Sequence, residues 1–218
     1  DLGRIRCRGE QTGDGWRISG EKIFISGGDQ DMSERILHLV LARTSDNGVK
    51  GLSLFLCPCR RSDGSRNAVT VTRIEEKMGL HASPTCQLAF DNAEAELVGE
   101  EGQGLAAMFA MMNHARTDVA LQGVAHAARA YDIAVSYAAE RQQGRSPEGA
   151  PVTIDQHADV RRMIDEIDRL ALGARAIAHL ACVTMERGDN SALVEFLTPL
   201  AKVYCTEAGM RAAELGMQ

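Results

Sequence analysis

Trp16-Arg17-Ile18-Ser19-Gly20-Glu21-Lys22-Ile23-Phe24-Ile25-Ser26-Gly27-Gly28 decides how the first half of the chain is read. Trp16 and Ile18 alternate with polar residues, Gly20 interrupts them, and the apolar run Ile23 to Ile25 stops at a hydroxyl and paired glycines. Period-two alternation predicts a strand that Gly20 breaks. Its end is a place where backbone can come close to a ligand. The same pattern also suits plain sheet core closed by a tight turn, and the stretch alone leaves both readings open.

Working outward, residues 1 to about 97 read as β-rich. The apolar runs Ile36 to Ala42 and Leu52 to Leu56, and the stretches Val69 to Thr72 and Cys86 to Phe90, are separated by Gly, Asp, Asn and Pro. Short strands at this spacing predict a compact barrel or sandwich. Past Gly104 the period changes, with Leu105, Met108, Phe109, Met112, Val119, Val124, Ala127, Tyr131, Ala134 and Ala138 on one helical stripe. A second helix is predicted from Ala158 to Arg187, ended by Gly188-Asp189-Asn190. A third is predicted with Thr198 as N-cap and Pro199 in its first turn. The polar, Gly- and Pro-containing segment from Gln142 to Pro151 reads as an exposed connection between the first two helices. The predicted fold class is therefore α+β and multidomain: a β-barrel or sandwich over 1–100, then an incomplete up-down helical bundle over 101–218.

Composition narrows the function classes. A hydrophobic content of 44% suits an ordinary core, and a net charge of −6 with cations scattered among acids gives no nucleic-acid surface. No apolar stretch approaches the roughly 18 residues needed to span a bilayer. Asp1-Leu2-Gly3-Arg4 lacks the basic-then-apolar layout of a signal peptide, so a cytoplasmic location is expected. The cysteines at 7, 57, 59, 86, 182 and 205 include no Cys-x-x-Cys pair and read as free thiols. The histidines have no metal-ligand spacing, no Gly-x-Ser-x-Gly elbow is present, and Gly99 to Gly104 lacks the Gly-Lys-Ser/Thr ending of a phosphate loop.

Five segments in order carry a family resemblance: Gly20 to Gly28; Glu75-Glu76-Lys77-Met78-Gly79-Leu80-His81-Ala82-Ser83-Pro84-Thr85; Leu97 to Leu105; Asn113-His114-Ala115-Arg116; and Tyr137-Ala138-Ala139-Glu140-Arg141. Together they resemble the acyl-CoA dehydrogenases, and the wording from Asp63 to Val69 is similar to the larger bacterial members, some of which act on methylthiopropanoyl-CoA. The resemblance implies a middle β-domain followed by part of the C-terminal helical domain, with FAD as cofactor and an acyl-CoA as substrate. It also implies electron-transfer flavoprotein or a similar acceptor, and a homodimer or homotetramer. Three long helices rich in Ala, Leu and Met agree with oligomerisation, since they exceed what a small β-domain can cover.

By that resemblance Phe24, Ile25 and Ser26 line the flavin, where Trp and Thr are the commoner residues at Phe24 and Ser26. Asn113 and Arg116 contact the CoA ligand, with Asn113 in place of the usual aspartate. Arg141 reaches the FAD of a neighbouring subunit, whereas Ala158 occupies the place of a FAD-contacting glutamine that Gln156 fills only after a register shift. Family members that carry their catalytic glutamate on the first long helix have it directly before the arginine. Ala115 stands there, so the base is expected in a segment downstream of Gln218, and no catalytic residue is assigned within the chain. Asp1-Leu2 resembles the tail of a Gly-Ser-Asp loop. The chain is therefore expected to be a fragment, inactive alone. An acyl-CoA oxidase of the same fold and a non-catalytic helical assembly module are the alternatives.

Overall fold

The computed structural model describes residues 2–218, and Asp1, with the loop assignment made for it, lies outside the described residues. The chain divides into two compact units, Asp1–Met111 and Met112–Gln218. In the first, strands β1 (Arg8–Thr12), β2 (Gly15–Ser26), β3 (Leu37–Arg43), β4 (Leu52–Pro58), β5 (Val69–Ile74) and β6 (Thr85–Val98) form one sheet. Its order is β2-β1-β3-β4-β6-β5, and β2 also pairs with β6, so five strands close into a barrel. The closing seam is antiparallel and runs from Trp16↔Ala95 to Ser26↔Thr85. Ring closure leaves few open edges and gathers the inward side chains Cys7, Ile18, Val40, Ala42, Phe55, Cys57, Leu88 and Phe90 into one core. Trp16 packs on Phe55 with ring centroids 5.2 Å apart.

β6 uses one edge for two partners. It pairs with β5 through residues 86–90 and with β4 through residues 96–98. Between those stretches the Asn67 side chain takes a strand's place, donating to Glu94 O at 2.9 Å and accepting from Glu94 N at 2.9 Å.

Gly20 does not break β2, as the sequence led us to expect; the strand runs through it with a register shift between Ile18 and Gly20. Its φ of +126° suits glycine alone, and a Cβ there would lie 2.8 Å from Cys7 Cα, so the residue bends the strand instead of ending it.

Three helices follow: α1 (Gly104–Glu140), α2 (Ala158–Arg187) and α3 (Ser191–Met217). Gly188 closes α2 in the left-handed conformation at φ +64°, as its sequence predicts. The start of α3 is a correction. Asn190, not Thr198, is the N-cap, accepting from Leu193 N at 3.0 Å, and Pro199 lies inside the helix. Proline there withholds one helical N–H. The buried row Leu197, Thr198, Ala201, Cys205, Ala208, Ala212 and Leu215 runs across that point and holds the helix together. The connection after α1 is also more ordered than its polar composition suggested. Strands β7 (Gln142–Arg145) and β8 (Pro151–Thr153) form an exposed hairpin.

In the second unit, α1 residues from Met112 onward pack with α2 and α3 through small side chains. Ala120, Ala174, Ala178, Ala181, Ala201, Cys205 and Ala208 share one buried cluster. Ala127, Ile167, Ala171, Ala212 and Leu215 form another.

Candidate functional site

The opening stretch ends in a distortion that shapes the site. Along the β2–β6 seam Lys22 pairs with Leu88, but the next pair is Ile25 with Cys86, so β2 carries one extra residue. The bulge sets Phe24 at φ +59°, a conformation a bulky side chain rarely adopts, and leaves Ile23 53% and Phe24 67% exposed. Ser26 is exposed one step further along. Gly27 then turns at φ +63°, and its N–H donates to Pro84 O at 2.9 Å. A flat aromatic, a hydroxyl and open backbone thus face outward together. That set suits a planar, hydrogen-bonding ring system and fits the isoalloxazine of a flavin.

Beside this strand end lies a cavity of about 410 Å³, lined by Lys22, Ile25 and Ser26, by β3 from Leu37 to Leu41, and by Met108 and Met111 of α1. Its walls are apolar except at three points: Ser26, His38 and Lys22. Lys22 Nζ donates to Leu41 O at 2.5 Å, and burial pulls its pKa down, an effect the nearby Cys7 opposes. Burial also pushes the Cys7 thiol up, so this cysteine is not a ready nucleophile.

His38 is 8% exposed and meets Phe90 edge-on at 6.4 Å. Desolvation lowers its pKa below 6.5, with Asp29 opposing. A folded pKa below the unfolded one means the unfolded chain binds more protons as pH drops through 6.5, so stability falls with acidification until the folded pKa is passed. We expect urea midpoints of the protein to fall between pH 7 and 5. Replacing His38 by Leu removes part of that slope, and an unchanged slope would show that His38 does not cause it.

The second unit holds the other residues singled out in the sequence. Asn113 and Arg116 are half-buried one turn apart on α1, and Arg116 Nη1 donates to Asn113 Oδ1 at 3.2 Å. An amide in place of a carboxylate therefore still holds the guanidinium, without neutralising it. Arg141 follows the last residue of α1; its N–H donates to Tyr137 O at 2.9 Å, its carbonyl accepts from Ile154 N at 2.8 Å, and its side chain is exposed. Gln156 is exposed in the turn before α2, and its carbonyl accepts from Arg161 Nη2 at 2.7 Å. Ala158 is the first residue of α2.

Nothing in the local sequence marks Lys22 or His38 as a site residue. A lysine just before an apolar run and a histidine inside one were the available signals; strand pairing that no local pattern shows leaves Lys22 half-buried and His38 buried. Among the described residues no group of three or more His, Cys, Asp or Glu side chains could hold a metal ion, and no helix is long and apolar enough to cross a membrane.

The order of barrel and helices matches known domains. Residues 1–93 match the family model of the acyl-CoA dehydrogenase middle domain, and residues 102–218 match that of the C-terminal domain. The chain belongs to the acyl-CoA dehydrogenase family. It is 44% identical to the 3-methylmercaptopropionyl-CoA dehydrogenase of Ruegeria pomeroyi, an alignment that covers 100% of this chain and 40% of that protein. It is 42% identical to the broad-specificity linear acyl-CoA dehydrogenase FadE5 of Mycobacterium tuberculosis, over 81% of this chain and 32% of that protein. Among solved structures, Caenorhabditis elegans ACDH-11 in complex with C11-CoA superposes with a TM-score of 0.82 at 25% identity, over 99% of this chain and 37% of that one. The chain thus spans less than half the length of each of these acyl-CoA dehydrogenase relatives.

Proposed function

We propose that this chain supplies the flavin-facing domain, over 1–100, and helical-domain residues, over 101–218, of an FAD-dependent enzyme that desaturates an acyl-CoA thioester between Cα and Cβ. The observation that carries the proposal is the bulge that turns Phe24 and Ser26 outward at the end of β2. Bound FAD would supply a hydride acceptor, the chemistry no side chain can provide.

The residues of the chain bind and orient. Phe24 offers its ring as a wall, with Ile25 at its back lining the cavity, and Ser26 offers its hydroxyl to the flavin edge. Asn113 and Arg116 form a preset pair for the CoA portion, whose phosphates a guanidinium suits. Arg141, exposed at the end of α1, is assigned to the FAD of a neighbouring subunit. Ala115 cannot take a proton, so removal of the α-proton is assigned to a carboxylate outside these residues.

A homo-oligomer is part of the same reading. Phe196, Val203, Met210 and Met217 recur every seventh residue on α3 and are between 56% and 79% exposed, an apolar row that a partner surface would cover. Electron-transfer flavoprotein or a similar acceptor would take the electrons. Six free cysteines suit a reducing compartment, in keeping with a cytoplasmic location.

The test uses the full-length protein. Ser26→Leu places a branched apolar group where the flavin edge is assigned, and we expect flavin content on purification, read from visible absorbance per protein, to fall by about tenfold or more, as for one lost charge-assisted or buried hydrogen bond plus a clash. Wild-type flavin content and wild-type reduction by acyl-CoA in that variant would overturn the assignment.

A further inference from the structure

The cavity beside β2 lies on a seam in the barrel wall. β1 pairs with β2 from Arg8↔Ser19 to Thr12↔Gly15 and with β3 at Arg8↔Arg43. Past that point no β1 residue stands in register between β2, from Gly20 to Ser26, and β3, from Leu37 to Ala42. Both strand segments line the cavity that opens there. Lys22 crosses it, its Nζ donating to the Leu41 carbonyl at 2.5 Å. Lys22 is also the last β2 residue paired with β6 before the bulge.

Space-filling does not explain a lysine here. Methionine would cover the same apolar walls with a stem of similar length and would spare the desolvation of an ammonium. What lysine adds is a directed bond to one backbone carbonyl, placed where β2 loses its neighbour on one side and gains an extra residue on the other. Two residues later Phe24 sits at φ +59°, which persists only where its surroundings hold it.

We infer that Lys22 is a positioning residue for the flavin wall: by tying β2 to the Leu41 carbonyl immediately before the bulge, it fixes the direction in which Phe24 and Ser26 face. The inference rests on the proposal that this strand end faces a flavin. It acts through the backbone and requires no contact between Lys22 and the cofactor.

The test compares Lys22→Met, Lys22→Arg and wild type in the full-length protein, with two readouts. Hydrogen exchange of the apo-protein reports on the Ile23 to Gly27 amides, and titration with FAD reports affinity. Losing a hydrogen bond from a charged donor predicts about tenfold faster exchange in that segment and about tenfold weaker FAD binding for Lys22→Met. The β4 amides should exchange as in wild type, and Lys22→Arg should recover most of both losses. Unchanged exchange and unchanged affinity in Lys22→Met would overturn the inference, as would equal acceleration throughout the barrel, which marks a residue of general stability. If Lys22→Met does not fold, Lys22→Leu, which also lacks the donor, is measured in its place under the same criteria. Failure of every variant to fold, Arg included, would also overturn it. A wild-type protein that binds no FAD would instead sink the flavin proposal, and the exchange data would still decide whether Lys22 holds the bulge.

Discussion

Gly123→Val is expected to destabilise the helical unit severely. At this position α1 approaches α3 so closely that an added Cβ would lie 2.2 Å from Cys205 O and 2.4 Å from Cys205 C. Gly209 faces the same contact, its Cβ position lying 2.8 Å from Gly123 O. The atoms in the way are backbone, which cannot rotate aside, so the helices must separate. Separation would open the cluster of Ala120, Ala174, Ala178, Ala201, Cys205 and Ala208 along its length. Overpacking of a core costs about 1 to 3 kcal/mol, and with no side chain able to yield we expect the upper end or beyond. The better helix propensity of a side-chain-bearing residue offsets at most about 1 kcal/mol. For a unit of this size about 3 kcal/mol lowers the melting temperature by roughly 12 to 24 °C. Gly216→Ala is the control on α3, because its Cβ would meet its nearest neighbours at 3.8 and 3.9 Å, ordinary contact distances. We expect that variant to melt at or slightly above the wild-type temperature. A Gly123→Val protein that melts within a few degrees of wild type, followed by circular dichroism at 222 nm, would show that the helices do not cross there.

The second large effect is expected in the barrel, from Asn67→Leu. Asn67 is 3% exposed, and its side chain satisfies backbone groups on β4, on β6 and at Ala68 just before β5. Its Nδ2 donates to Pro58 O at 2.8 Å and Glu94 O at 2.9 Å, while its Oδ1 accepts from Glu94 N at 2.9 Å and Ala68 N at 3.0 Å. Leucine has a similar volume and none of these bonds. Each backbone group left without a partner in the interior costs about 1 to 3 kcal/mol, so the loss should be at least about 3 kcal/mol. Asn67→Asp should also destabilise, since it removes the two donors and buries a charge. Thr72→Ala gives the comparison: its hydroxyl donates to Gln87 O at 3.3 Å on an exposed strand, and the change should cost less than about 1 kcal/mol. Urea unfolding monitored by Trp16 fluorescence reads the barrel, because Trp16 packs on Phe55 of its core. A midpoint for Asn67→Leu equal to that of Thr72→Ala would rule out the surrogate-strand role.

The same residues separate what was legible in the sequence from what was not. The helices were legible because their period is local: apolar positions three and four apart, with a left-handed glycine at Gly188, announce α1 and α2 without knowledge of any partner. The strands around Ile36 to Ala42 and Leu52 to Leu56 were legible as short continuous apolar runs bounded by turn residues, also a local signal. The segments matching the middle and C-terminal domains of acyl-CoA dehydrogenases were likewise present in linear order.

Tertiary structure decided the rest, because each feature depends on residues far apart in the chain. Gly20 bends β2 instead of ending it because β6 continues to pair on its far side, from Phe90 to Cys86. Pro199 stays inside α3 because a buried row on both sides outweighs one missing N–H, while Asn190 caps the helix seven residues before Leu197 begins that row. Asn67 reads as a loop residue until β4 and β5 are seen to share one edge of β6. The local pattern at Phe24 suits strand core and a ligand-facing strand end alike, and the extra residue between Lys22 and Ile25 turns the side chain outward. Local sequence set the period of each element; the pairing of distant strands and the contact of distant helices set register, caps and the direction of the side chains at the candidate site.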